Sequence, residues 1–314
     1  MNIPARFATI AVFIAVLGHA SSEFVAAGSG VAGPELSVWR YLLGGAGLII
    51  VALLVTGPRK LFAPLRTDAW ALAWLSVIGV SGAYFAFHWA LDFASVIQVA
   101  TLVTTIPIFV GIANLVVNGQ RLTAVKIVTG LCAVTGLVLL ITDGLLDKLV
   151  GGRDSIWGVL LALACAVLGA FYAVRVKPLV ARHGALNITA LSMMIGGVGL
   201  WTGVGLGFGT WVDPLTLFDR PATEISWILV LALWNTTITQ FLWVGGLSAA
   251  PDITRASYLF FLKPIIAAAL AIIFLRNDIS LLQAFAILVV TGSVLIEIFW
   301  PRISRALGRR EERA

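Results

Sequence analysis

Apolar residues in this chain run together in stretches near twenty long, separated by short segments that hold most of the charge. They neither alternate at period two nor mark one helical face, so the pattern predicts helices apolar all round. A helix of about 20 such residues crosses roughly 30 Å of hydrocarbon. Ten spans are predicted, at residues 7–27, 34–56, 69–91, 95–118, 122–142, 156–176, 185–208, 225–247, 252–275 and 280–300. The first competes with a cleavable signal peptide, because Arg6, the run Phe7 to Leu17 and Ala26-Ala27-Gly28 imitate its three regions. It is read as a retained span because the internal repeat requires it.

Composition agrees: 60% of residues are hydrophobic, only 11% are charged, and mean hydropathy is +1.02. A water-facing surface needs about twice that charge density, so a soluble globule is excluded. The net charge of +6 lies between apolar runs instead of along one polar face, so it reports topology and not nucleic-acid binding. With the N-terminus inside, the inner segments hold Arg6, Arg59, Lys60, Arg66, Arg121, Arg175, Lys177, Arg182, Arg255, Arg302, Arg305, Arg309, Arg310 and Arg313. The outer loops hold only Lys148, Arg153, Arg220 and Arg276. This bias predicts an inner-membrane protein with both termini cytoplasmic.

The chain also repeats itself. Leu43-Gly44-Gly45-Ala46-Gly47-Leu48 recurs as Ile195-Gly196-Gly197-Val198-Gly199-Leu200, 152 residues on. At an offset of 157, Pro107 meets Pro264, Leu122-Thr123 meets Ile279-Ser280, and Lys126 meets Gln283. Residues 1–150 and 151–314 thus form two units of five spans each. Because five is odd, the second enters the membrane from the opposite side. The expected fold is all-α and integral to the membrane, with ten transmembrane helices as two inverted five-helix repeats around a central cavity, an arrangement of transporters.

An ionisable side chain at mid-bilayer costs about 2.5–3.5 kcal/mol, so each should face a cavity or a partner. Lys263 lies at the middle of span 9 beside Pro264. Pro264 and Pro107 kink their helices and leave the carbonyls of Phe260 and Val103 without donors. A zwitterion could then set its carboxylate on Lys263 and its ammonium on a freed carbonyl; the competing reading is that Lys263 snorkels or pairs internally. His19 and Glu23, four apart in span 1, share a helix face. They read either as a proton-responsive gate or as an interfacial pair at the rim. Tyr84, His88, Gln98 and Thr101 are candidate lining residues of the outer mouth; Tyr172, Trp234, Asn235, Gln240 and Tyr258 are candidates nearer the middle or inner mouth.

Other features read as structural. Arg40 and Glu297 fit a structural or snorkelling role rather than substrate binding, and Asp252 with Arg255 fits a helix start carrying its own ion pair. Trp70, Trp157, Trp201, Trp211, Trp227 and Trp300 fit interfacial belts. The Gly-Gly-x-Gly runs sit in apolar spans and serve helix packing, not phosphate binding. Cys132 and Cys165 are separate core residues. No catalytic or metal-ligand spacing is present, so no catalytic residue, metal or cofactor is expected. Without a nucleotide-binding loop, transport is driven by gradients.

Ten spans, Arg40 in the second, the prolines of the fourth and ninth, and a Thr or Ser opening the fifth and tenth resemble the EamA-type drug/metabolite transporter superfamily, most of all its YddG-type exporters of aromatic amino acids. Where that family carries a Glu before the fifth helix, Gln120-Arg121 stands here. The resemblance implies export through a cavity lined by helices 1, 3, 4, 6, 8 and 9. The expected partners are a small-molecule substrate, an amino acid, and the lipid bilayer, with a monomer as the working unit and no nucleic acid. Two alternatives stay open: efflux of lipophilic cations through Glu23, and an intramembrane enzyme or lipid-modifying protein.

Overall fold

The computed structural model describes residues 1–31, 33–94, 96–142, 155–275 and 280–306. The side chains of Glu23 and Gln98 fall outside that description, as do Lys148, Arg153, Arg276, Arg309, Arg310 and Arg313. Among the described residues every regular element is helical. Among these residues eight helices are long and apolar enough to cross a membrane, and two shorter apolar ones accompany them.

In chain order these are α1 (Ala8–Ala27), α2 (Gly33–Thr56), α3 (Ala69–Ala90), α4 in two pieces (Val96–Thr104 and Ile106–Asn118), α5 (Ala124–Thr142), α6 (Ser155–Arg175), α7 (Ala185–Phe208), α8 (Ala222–Ala249), α9 (Ile253–Ser257, a 3-10 turn Tyr258–Leu262, then Lys263–Leu275) and α10 (Leu281–Ala306). The sequence suggests unbroken spans 4 and 9, but both are interrupted. Thr105 leaves the helix, and Pro107 falls in the first turn of the restarted piece. Pro264 stands second in the restarted half of α9, after the 3-10 turn. Each proline therefore opens a helix, where its missing N–H costs nothing, and neither kinks a continuous one.

Two further irregularities lie inside α3 and α8, where Val77–Gly82 and Leu233–Ile238 wind as π-helix. The first packs on α7, with Val80 against Gly196, and on α6, with Gly79 against Tyr172. In the second, hydroxyls bond carbonyls five residues back: Thr236 Oγ1 to Leu231 O at 3.3 Å and Thr239 Oγ1 to Trp234 O at 2.7 Å.

Packing follows small residues. On α2 and α7 the backbones themselves meet: a Cβ on Gly197 would stand 2.9 Å from the Tyr41 carbonyl oxygen. Such contact supplies the dispersion that holds helices together in lipid. α5 packs on α10, α1 on α8, and α6 on α3; α6 also covers α4, and α1 covers α9. Ion pairs tie loops at both ends. On the face bearing Met1, here the terminal face, Asp68 meets Arg182 at 2.7 Å and His183 at 2.6 Å. On the opposite face Arg220 meets Glu35 at 2.9 Å.

Candidate functional site

A cavity of about 230 Å³ lies between α1, α2, α3, α4, α6, α7, α8 and α9. It reaches toward the face opposite the termini, where Ala26, Leu36 and Leu231 line it. Its walls bring together six of the residues singled out by sequence: His19, Tyr84, His88, Tyr172, Gln240 and Lys263. Trp243 and Phe260 complete an aromatic corner around His19, their ring centroids each 5.5 Å from the imidazole.

Burial without satisfaction marks this cavity. His19 Nε2, His88 Nδ1 and the Tyr172 hydroxyl have no hydrogen-bond partner among the described residues, although all three side chains are buried. A buried polar atom left unpaired costs about 1–3 kcal/mol, so three in one cavity are places for a polar guest. The other His88 nitrogen is engaged, with Ser37 Oγ. Lys263 brings a cation whose strong hydration shell a carboxylate can replace.

Arg40 also lines the cavity, in addition to the structural role its sequence position suggests. Its Nε donates to Thr236 Oγ1 at 2.9 Å and its Nη2 to the Asn235 carbonyl at 2.8 Å. The π-turn of α8 makes this possible by shifting the backbone register so that a carbonyl faces a neighbouring helix. The signal missed in the sequence is Asn235-Thr236-Thr237, a polar triplet inside an apolar span, which requires partners.

The remaining candidates lie outside the lining. Asn235 spends its amide on α1, donating to Gly18 O at 2.6 Å and Ser21 Oγ at 3.0 Å. Trp234 Nε1 reaches the same serine at 3.1 Å. Thr101 is buried beside the cavity but not on its wall. The Phe260 carbonyl, expected to be free, accepts the Lys263 N–H in the 3-10 turn.

Tyr258 belongs to a second polar centre at the terminal face. Its hydroxyl donates to the Lys126 carbonyl, while Lys126 Nζ meets Asp252 Oδ2 at 2.7 Å. Arg255 Nε donates to Glu297 Oε1 at 3.1 Å, and Thr129 Oγ1 to Glu297 Oε2 at 3.4 Å. The expected partnership of Asp252 with Arg255 survives as a helix cap, Arg255 N to Asp252 Oδ1 at 2.9 Å, while the guanidinium stands 3.9 Å away. Burial works to raise the Asp252 carboxyl, but the Lys126 hydrogen bond, the Arg255 N–H and both cations hold it below the usual carboxylate range. This centre joins α5, α9 and α10, and none of its side chains lines the cavity.

The EamA-like transporter family profile matches residues 6–142 and 156–299. An uncharacterized transporter of Bacillus subtilis, YvbV, is 26% identical over 259 residues, which cover 82% of this chain and 80% of the relative. A probable terminal-alkyne amino-acid exporter of Streptantibioticus cattleyicolor is 26% identical over 289 residues, 91% of this chain and 88% of the relative. An uncharacterized inner membrane transporter of Salmonella typhimurium, YicL, is 25% identical over 264 residues, 80% and 81%. A solved crystal structure shares the fold at a TM-score of 0.79, covering 96% of this chain and 98% of that one at 19% identity.

Proposed function

The chain belongs to the EamA-like transporter family, and we propose that it exports amino acids, aromatic or bulky and apolar, or similar small metabolites across a cell inner membrane by alternating access. The observation that carries this reading is the cavity in which Lys263, aromatic rings and three unpartnered buried polar atoms converge. Its volume falls below the roughly 300–1,000 Å³ of sites for drug-sized ligands, which favours a metabolite. Tyr84 and Tyr172 offer ring faces to an apolar side chain, as the YddG-type resemblance implies; a relative named as an amino-acid exporter adds weight.

The architecture proposed is ten spans in two inverted units, residues 1–150 and 151–314. Supporting it, α1 packs on α8 as α6 packs on α3, a pairing preserved when each helix is advanced by five. The two π-turns occupy matching positions in α3 and α8, and the family profile matches one stretch in each half. With both termini cytoplasmic, as the distribution of basic residues favours, the cavity opens outward and the Lys126–Asp252 and Arg255–Glu297 centre closes the inner side. Export then requires this seal to open and the outer mouth to close, an exchange natural to two similar units.

Counterflow in proteoliposomes, with a panel of labelled amino acids and with and without a pH gradient, tests the reading. Aromatic amino acids should exchange and emerge chemically unchanged; no exchange of any amino acid, or conversion to product, overturns it. Lys263→Gln should fold yet lose exchange. Efflux of lipophilic cations is the poorer reading, since Arg40 and Lys263 both place positive charge on the wall.

A further inference from the structure

Two cations on one wall need not do the same work. Lysine is a mobile point charge that any anion satisfies, whereas a guanidinium held rigid is a planar fork matched to a carboxylate. Arg40 is held in this way. Thr236 Oγ1 and the Asn235 carbonyl occupy its Nε and one Nη2 hydrogen, and of its five donors the two on Nη1 and the second on Nη2 remain. Both acceptors are neutral, and no ion pair to Arg40 exists among the described residues, so its charge is not cancelled by the groups that fix it. The Arg40 guanidinium is also 5.7 Å from the Tyr41 ring, whose hydroxyl accepts from Gln240 at 3.3 Å and whose ring meets Tyr84 at 4.2 Å. Its position is thus bounded on a second side by Tyr41, which is itself held by two residues of the cavity wall, Tyr84 and Gln240.

We propose that Arg40 is the specificity-determining residue of the cavity: clamped by the π-turn of α8, its free edge receives the substrate carboxylate in bidentate fashion and distinguishes it from an amide or a tetrahedral sulfonate. This rests on the amino-acid reading above and goes beyond it, because it assigns the selection of the acid group to α2 and leaves Lys263 to supply charge of any geometry.

The test uses the full-length protein in proteoliposomes and compares competition against a transported amino acid by its own unlabelled form, its amide and its sulfonate analogue. In the wild type the acid should compete at least about tenfold better than the amide, the worth of one charge-assisted hydrogen bond. Arg40→Lys keeps the charge and should shrink that ratio severalfold while still exchanging; Arg40→Gln should abolish the preference. Lys263→Arg, in contrast, should preserve the acid-over-amide ratio even if its rate falls. If Arg40→Gln does not fold, Arg40→Lys alone decides. An Arg40→Lys protein that retains the full acid-over-amide and acid-over-sulfonate preferences overturns the assignment. Failure of the wild type to exchange any amino acid would instead overturn the underlying function, so the two failures are separable.

Discussion

Along α9, Tyr258 and Lys263 stand five residues apart yet belong to opposite kinds of polar environment. At Tyr258 every major group has found a partner: hydroxyl to carbonyl, Lys126 to Asp252, Arg255 to Glu297. At Lys263 the wall keeps imidazole and phenol atoms without partners. Both regions are buried, so accessibility alone does not separate them. What separates them is whether the protein satisfies its own polarity. Satisfied polarity fixes a geometry, whereas unsatisfied polarity waits for a ligand. The 3-10 turn Tyr258–Leu262 joins the two, which puts the proposed seal and the cavity wall on one short piece of chain.

The hardest blow to this contrast falls on Glu297, wholly buried and paired with a guanidinium that keeps a fifth of its surface. Removing one partner of a buried pair costs about 3–5 kcal/mol, and the partial exposure of Arg255 places Glu297→Gln near the lower bound. Its denaturation midpoint in detergent should drop clearly, and the double variant Glu297→Gln/Arg255→Gln should regain part of the loss. A midpoint equal to the wild type would mean that the pairing in the seal is incidental.

Two glycines sharpen the comparison at lower energy. A Cβ on Gly130 would stand 2.8 Å from the Tyr258 hydroxyl, which is already engaged. Gly130→Ala should therefore cost about 1–2 kcal/mol through a displaced ring and a broken hydrogen bond. Gly169 lines the cavity, and a Cβ there meets nothing within 4 Å. Gly169→Ala should leave stability unchanged or raise it by up to about 1 kcal/mol, while Gly169→Leu should fold normally and raise the KM for transport by occupying substrate space. Equal stability loss at the two positions would erase the distinction between seal and cavity.

Much of the frame was legible in the sequence, because hydrocarbon demands long apolar runs and small residues where helices touch. The interruptions were legible only by half. Pro107 and Pro264 announced kinks where the helices in fact stop and restart, but the π-turns at Val77–Gly82 and Leu233–Ile238 carry no proline and pack against helices remote in sequence. That gap explains why the sequence could not name the partners of Arg40, whose acceptors lie in such a turn on α8. At the same offset of 157 Tyr258 falls on Thr101, yet repeat alignment gives matching depth and cannot say whether a ring will line the cavity or join the polar centre beside it. Asn235 looked like a lining residue, but its amide nitrogen already donates to Gly18 and Ser21, and its Oδ1, without a partner among the described residues, lies off the cavity wall.

The smallest expected effect lies outside both centres, at the loop where Asp68 meets His183 and Arg182 on the terminal face. The hydrogen bond from His183 holds the Asp68 carboxyl below its usual range; burial opposes this, and Thr67 and the Arg182 guanidinium add to the lowering. A folded-state value below the unfolded one contributes stability above the ordinary carboxylate range, and that contribution is lost as the pH falls through the depressed value. Asp68→Asn should therefore lower the denaturation midpoint slightly near neutral pH, and the two curves should converge in acid. Because Arg182 is largely exposed, added salt should shrink the difference as well. Exchange should remain at the wild-type rate, since Asp68 touches neither the cavity nor the seal. A gap between the curves that persisted in acid and high salt would show that this contact acts through packing and not charge, and an altered exchange rate would extend the moving seal to the loop itself.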